Sequence, residues 1–433
     1  MSAYRILSLD GGGSWALLQV MALQAMYGEK CHGHEVLKDF QLVSANSGGS
    51  IVLGGLLTNR PLDEILAFFL DRGARTSLFK ALPFDFDSGG KPLKSVFNQT
   101  MQMVAMVGAK YQTGAKLEGL KALLVPAGDK PLSEHHQYFV MRYGHAIHFL
   151  ICGFDYDRKR AKFFRSNAAS LAGSSQVAPS FIPAPTVRGK AEPTLADAIH
   201  ASSNAPVNYF IEPAKFEDDR YWDGAIGGYN NPVLAAVVEA LANAKSYSAQ
   251  DIQVLSIGTG TVNLPVRNKH DPPCDARLVE EIGQESTLFR DVGQLATSVL
   301  DDPPDSATFI AHVVLGQPLP DRNGHPPVYP PVSGSVIRMS PLLRPVKSSP
   351  AAPWTVPDGM SIDQFAQLAN LDLDAVEQND IDTLVHFGRL WLSDKIGNQA
   401  IRENKNFEIH IGHRTFGKAK AAWHAMRSGK QRV

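Results

Sequence analysis

Residues 40–57 read FQLVSANSGGSIVLGGLL. A short β-prone apolar run, Phe40 to Ala45, stops at Asn46-Ser47-Gly48-Gly49, and a second apolar run opens at Ser50. That order predicts a buried strand, a turn of small residues and a helix. Ser47 falls on the turn itself, which is the placement of a nucleophile elbow. A sharp turn there pushes the hydroxyl out of the chain at the end of a sheet. The following helix offers bare N–H groups and a positive dipole end to developing negative charge. The usual elbow pattern is G-x-S-x-G, and Ala45 stands at its first glycine. Short Ser/Gly turns also serve purely structural roles, so the reading needs company.

The company begins upstream, in YRILSLDGGGSWALLQV at residues 4–20. An apolar strand-like run meets Asp10-Gly11-Gly12-Gly13, and a helical pattern follows from Trp15 through Met26. Glycines before a helix leave N–H groups open to an anionic oxygen. That oxygen is either a phosphate or the oxyanion of a tetrahedral acyl intermediate. Neither G-x-x-x-x-G-K-[ST] nor G-x-G-x-x-G is present, which removes the usual nucleotide loops. Strand, glycine turn and helix thus occur twice within the first 60 residues, the rhythm of a parallel sheet with crossover helices. Downstream, Tyr221-Trp222-Asp223-Gly224-Ala225 places an aspartate at a third strand end.

Elsewhere the pattern predicts a hairpin over 145–166 turning near Asp157-Arg158-Lys159, a loop over 170–187, a helix over 232–244 and a strand over 254–257 ending at Gly258-Thr259-Gly260. Residues 315–358 are dense in proline and read as irregular covering structure. Helices are expected at 361–371 and 376–394. The long interval between Ser47 and Asp223 leaves room for an insertion, 75–135, that could serve as a lid. Its MQMVAMV run (101–107) reads by default as core helix.

The 433 residues are 44% hydrophobic, ample for a large core, and the formal net charge of -1 gives no steering toward nucleic acid. Charge is uneven: residues 401–433 carry about +6 and the remainder about -7. The basic tail reads as a solvated terminal helix or as a surface for anionic lipid headgroups. Cys31, Cys152 and Cys274 are too sparse for a disulfide framework and favour a reducing compartment. Cys31-His32-Gly33-His34 lacks a second ligand pair, so neither metal nor cofactor is expected. With no signal-peptide pattern at the N-terminus and no apolar run long enough to span a bilayer, the expected location is cytoplasmic, with peripheral membrane contact through the tail.

In this order the motifs resemble the patatin-like phospholipase family: DGGG at Asp10, the turn at Ser47 and DGA at Asp223. ASSNAPVNYF (201–210), LSIGTG (255–260) and the helical region 361–394 are similar to that family as well. The resemblance implies a three-layer α/β/α fold with a central, mostly parallel sheet, a catalytic domain over 1–395 and a basic extension over 396–433. It implies Ser47 as nucleophile, Asp223 as base, and an oxyanion hole from the N–H groups of Gly11, Gly12, Gly13 and Gly48. The implied activity is ester hydrolysis of phospholipids or related acyl lipids. An acyltransferase or lysophospholipase on the same dyad is an alternative, and so is a catalytically quiet interaction protein. His200 is the nearest candidate for an imidazole base. One further departure is Trp15, which stands where the family usually carries Arg or Lys.

Overall fold

The structure, a computed structural model, describes residues 3–78, 111–166, 192–206, 209–210, 212–244, 246–267, 271–280, 306–317, 335–404 and 409–429. The run 101–107 and the loop expected over 170–187 lie outside these residues.

Nine strands define the frame: β1 (Tyr4–Leu9), β2 (Leu42–Ala45), β3 (His148–Asp155), β4 (Arg160–Arg165), β5 (Ala214–Phe216), β6 (Asp219–Asp223), β7 (Ile252–Ile257), β8 (Thr261–Val262) and β9 (Val336–Met339). Eight of them form one sheet in the order β5-β6-β3-β2-β1-β7-β9, with β4 paired to β3. The run from β3 through β9 is parallel, whereas β4, β5 and β6 are antiparallel to their neighbours.

Side chains alternate across this sheet, as a period of two requires. Leu7, Leu9, Val43, Leu255 and Ile257 join one core with the helices Leu17–Tyr27, Ser47–Leu57, Leu62–Leu70 and Gln378–Leu392. Ile6, Leu42, Leu150 and Val254 join a second core with the helix Val233–Asn243. Helices therefore cover both faces, which is the three-layer α/β/α arrangement. The hairpin expected near 157 is β3–β4.

Two elements differ from the sequence reading. Residues 336–339, inside the proline-dense stretch, form β9, which pairs parallel with β7 and extends the sheet. Four residues bounded by turn formers give little periodicity to read. The helix expected from Trp15 begins with a 3-10 turn, Gly13–Ala16, before the α-helix starts at Leu17.

The C-terminal helix Phe416–Arg427 packs on the same body: Trp423 is fully buried and stacks on Phe40 at 5.7 Å. Lys420 donates to the Ala25 carbonyl at 2.6 Å, and Arg427 pairs with Asp39 at 2.7 Å. Some of the tail's positive charge is thus engaged within the molecule, while Arg414 and Lys418 are exposed. Among the described residues no helix is long and apolar enough to cross a membrane.

Strand register places the site. β2 runs parallel to β3 and ends with Ala45 opposite Ile151. β6 runs antiparallel to β3 and ends with Asp223 opposite Gly153. Because β4 occupies the other edge of β3, β2 and β6 meet end to end along one edge. Residues 47 and 223, far apart in sequence, are brought together by that meeting.

Candidate active site

Asn46 is still extended, and Ser47 turns sharply to a left-handed φ of 48° as the helix Ser47–Leu57 begins. A non-glycine residue held there costs of order 1–3 kcal/mol, so its neighbours must fix it. The Ser47 N–H donates to Ser202 Oγ at 2.9 Å, and Ser202 Oγ lies 3.4 Å from Asn46 Oδ1. Space is the second constraint. A Cβ on Gly48 would lie 2.5 Å from the Gly13 carbonyl, and one on Gly49 would lie 2.5 Å from the Asp10 carbonyl. Ala45 needs no such allowance. It is a regular strand residue opposite Leu9 and Ile151, so its methyl group fits where the elbow pattern has glycine.

Asp223 is 4% exposed at the end of β6. Its carboxylate takes hydrogen bonds from the Ala225 N–H at 2.9 Å and the Asn46 amide at 3.0 Å, and the Ser47 side chain lies near enough to lower its proton affinity. Its own N–H donates to the Asn204 carbonyl at 3.1 Å. The segment 201–210 therefore braces both turns, through Ser202 on one and Asn204 on the other. Burial pushes the Asp223 carboxyl above its usual range. The Ala225 bond, the Ser47 side chain, the Asn46 bond and the nearby Lys116 pull the other way without cancelling it. The result is a carboxylate with a stronger appetite for a proton.

The glycine turn lies against the nucleophile turn. Gly11 donates its N–H to the Asn230 carbonyl at 2.8 Å, which takes it out of the set of free donors. Among the described residues no acceptor is found for the N–H groups of Gly12, Gly13 and Gly48. Gly13 has φ 54°, and a Cβ there would lie 2.1 Å from the Leu373 carbonyl, so glycine is required. The turn is anchored from behind. Asp10 pairs with Arg338 of β9 at 2.6 Å, both nearly fully buried, and Arg338 also donates to Ser256 Oγ at 2.8 Å and Gln399 Oε1 at 3.1 Å. Sequence reasoning missed Arg338 because it placed 336–339 in irregular structure.

Trp15 is buried and meets the Phe387 ring edge-on at 6.2 Å, so it packs behind the turn. The His200 ring is buried, which pushes its pKa well below the ordinary value, and it hydrogen-bonds neither Ser47 nor Asp223 among the described contacts. Cys31-His32-Gly33-His34 lies apart: the His34 ring meets Tyr143 Oη at 3.0 Å and the Leu57 carbonyl at 3.2 Å.

Ser47, Gly13 and Gly48 line a small, partly open cavity of about 30 Å³. Ile51, Leu78, Phe210 and Leu373 supply apolar cover. So does an unexpected residue, Lys116, on the helix Thr113–Leu123. It is 2% exposed. Its Nζ donates to the His200 carbonyl at 3.3 Å and sits 4.4 Å from the centre of the Phe210 ring. A signal was present: Lys116, Leu120 and Leu124 are spaced by four, and the two leucines are fully buried. Lysine therefore occupies an inward position on that helix.

The profile of the family described as "Patatin-like phospholipase" matches residues 7–237, more than half of the chain. The chain belongs to the patatin-like phospholipase family, and that membership supports lipid acyl hydrolysis as its class of activity. No curated protein sequence matches it. Among solved structures it is similar to VipD from Legionella pneumophila, with 11% identity and a TM-score of 0.34, covering 100% of this chain and 76% of that one. It is also similar to human GIVD cytosolic phospholipase A2 in complex with methyl gamma-linolenyl fluorophosphonate, with 11% identity and a TM-score of 0.39. That match covers 99% of this chain and 60% of the human one, so the chain spans less than two thirds of that relative. Likeness at these scores carries no weight below; the site geometry does.

Proposed function

We propose that the protein is a serine lipid acyl hydrolase that cleaves carboxylic ester bonds of phospholipids or related acyl lipids through an acyl-enzyme on Ser47. The observation that carries this reading is the strained Ser47 turn, set beside the buried Asp223 and close to glycine N–H groups for which no acceptor is found among the described residues.

Ser47 Oγ attacks the ester carbonyl carbon while its proton passes to the Asp223 carboxylate. The carbonyl oxygen becomes an oxyanion held by the N–H groups of Gly12, Gly13 and Gly48, each such donor contributing about 2.7–4 kcal/mol to the transition state. Collapse breaks the ester C–O bond, and the departing alcohol takes the proton from Asp223. Water then attacks the acyl-enzyme, Asp223 accepts its proton, and the fatty acid leaves as Ser47 recovers its own. The raised affinity of Asp223 for a proton suits both half-reactions. No imidazole enters, consistent with the placement of His200.

The test is fatty-acid release from phospholipid vesicles and from a short-chain nitrophenyl ester. Wild-type protein is expected to hydrolyse at least one of them, and Ser47→Ala and Asp223→Asn neither. Activity retained by Ser47→Ala ends the proposal.

A further inference from the structure

The Ser47–Asp223 chemistry gives Lys116 no bond to make or break, although its charge acts on Asp223. An ammonium group withdrawn from water carries a large desolvation cost unless it is paired. Among the described residues Lys116 forms no ion pair. Among the described contacts its one hydrogen bond goes to a neutral carbonyl and its ammonium lies over the face of Phe210, with Asp223 acting on it only at longer range. It is the only cationic side chain among the described residues lining the Ser47 cavity. A helix whose inward positions are otherwise leucine would be more stable with an apolar residue here, so the lysine answers a requirement other than packing.

The other groups of the cavity already have assignments under the reading above. Gly13 and Gly48 face the oxyanion, and Ile51, Leu78 and Leu373 suit an acyl chain. What remains is the compact three-donor cation of Lys116 in the cavity lining, while Trp15 leaves no positive charge beside the glycine turn. We propose that Lys116 Nζ is a phosphate subsite that holds the headgroup phosphate of an acyl glycerophospholipid while Ser47 attacks the neighbouring ester. This rests on the hydrolase reading for its substrate, but not for its test. Burial holds the Lys116 pKa well below the ordinary amine value, and Asp223 acts against that shift. An arriving phosphate would favour the protonated amine, because charge-assisted hydrogen bonds to phosphate are the strong ones. The flanking Phe210 face favours the cation as well.

The test is equilibrium binding of two non-hydrolysable ligands to the full-length protein by titration calorimetry: a hexadecyl ether of glycerol phosphate and the same ether of glycerol without phosphate. Wild type is expected to bind the phosphate ether at least about tenfold more tightly. Lys116→Met and Lys116→Gln should each remove most of that preference while leaving the neutral ether within about twofold, and Lys116→Arg should restore part of it. Thermal melts establish which variants are folded, and either neutral variant suffices. Loss of both ligands alike, or of neither, overturns the proposal. A third ligand, hexadecanoate, separates the other source of an anionic oxygen: if the neutral variants weaken hexadecanoate and spare the phosphate ether, the lysine receives the product carboxylate and the phosphate assignment is overturned. Because the ethers need no turnover, these outcomes stand whether or not Ser47 is a nucleophile. Failure of Ser47 to react with a fluorophosphonate tells against the hydrolase reading alone.

Discussion

The two sides of the Ser47 cavity are built on different principles. The floor consists of three turns at strand ends, 10–13, 46–49 and 223–225, each stepping straight from β1, β2 or β6. It has no slack: a single methyl group on Gly11 would lie 2.1 Å from Asn230 Oδ1, and one on Gly12 would lie 2.2 Å from Thr259 Oγ1. The roof is assembled from Leu78, Lys116, Tyr209, Phe210 and Leu373, which arrive from separate segments. Its anchors are loop contacts, such as Ser14 N–H to the Leu373 carbonyl at 2.7 Å and Tyr111 N–H to the Tyr209 carbonyl at 2.8 Å. The proposed function puts bond making on the part fixed by the sheet, and the proposed phosphate subsite on the part assembled from separate segments.

That contrast can be broken most decisively on the floor. Ser47→Ala and Asp223→Asn should each lower kcat for ester hydrolysis by about 10⁴-fold or more. A loss of only a few-fold would mean that the strand-end turns are not where bonds are made. Arg338→Met should cost about 3–5 kcal/mol in urea unfolding, because it removes the buried guanidinium that faces the buried Asp10 carboxylate beneath the glycine turn. A cost below about 1 kcal/mol would show that the floor is less constrained than its geometry implies.

The pH profile addresses the same floor without mutation. Asp223 must be ionised to take the Ser47 proton, and its pKa is raised above 3.8. In the free enzyme kcat/KM should therefore be present at neutral pH and fall as pH drops through a value above the ordinary carboxylate range. A limb at or below 3.8 would contradict the burial of Asp223. The smallest effect is expected from the roof. Leu373→Ala trims a half-buried side chain over the cavity and should raise turnover of a short nitrophenyl ester about two- to fivefold by widening the approach to Ser47. A fall to near zero would make Leu373 part of the machinery instead of its cover.

The same division governs what the sequence could disclose. The turns that carry Ser47, Asp223 and the glycines were readable because each requirement is local: a strand, then a sharp turn that favours small residues. Gly11 was the exception on the floor, because its N–H is taken by Asn230, a partner 219 positions away that no local pattern reports. Arg338 was hidden because β9 is four residues long and set among prolines. Lys116 was hidden differently. Its inward spacing with Leu120 and Leu124 was legible, but the wall that its helix meets depends on how the segments 111–124 and 195–210 pack. Tertiary packing also decided Trp15, whose place behind the turn follows from Phe387.

The most direct test is covalent. Folded wild-type protein treated with an alkyl fluorophosphonate and digested for mass spectrometry should carry the phosphonyl adduct on Ser47, with the adduct absent in Ser47→Ala and formed far more slowly in Asp223→Asn. A folded protein in which Ser47 stays unmodified, or in which the adduct forms on another residue and persists in Ser47→Ala, would contradict the assignment of Ser47 as nucleophile.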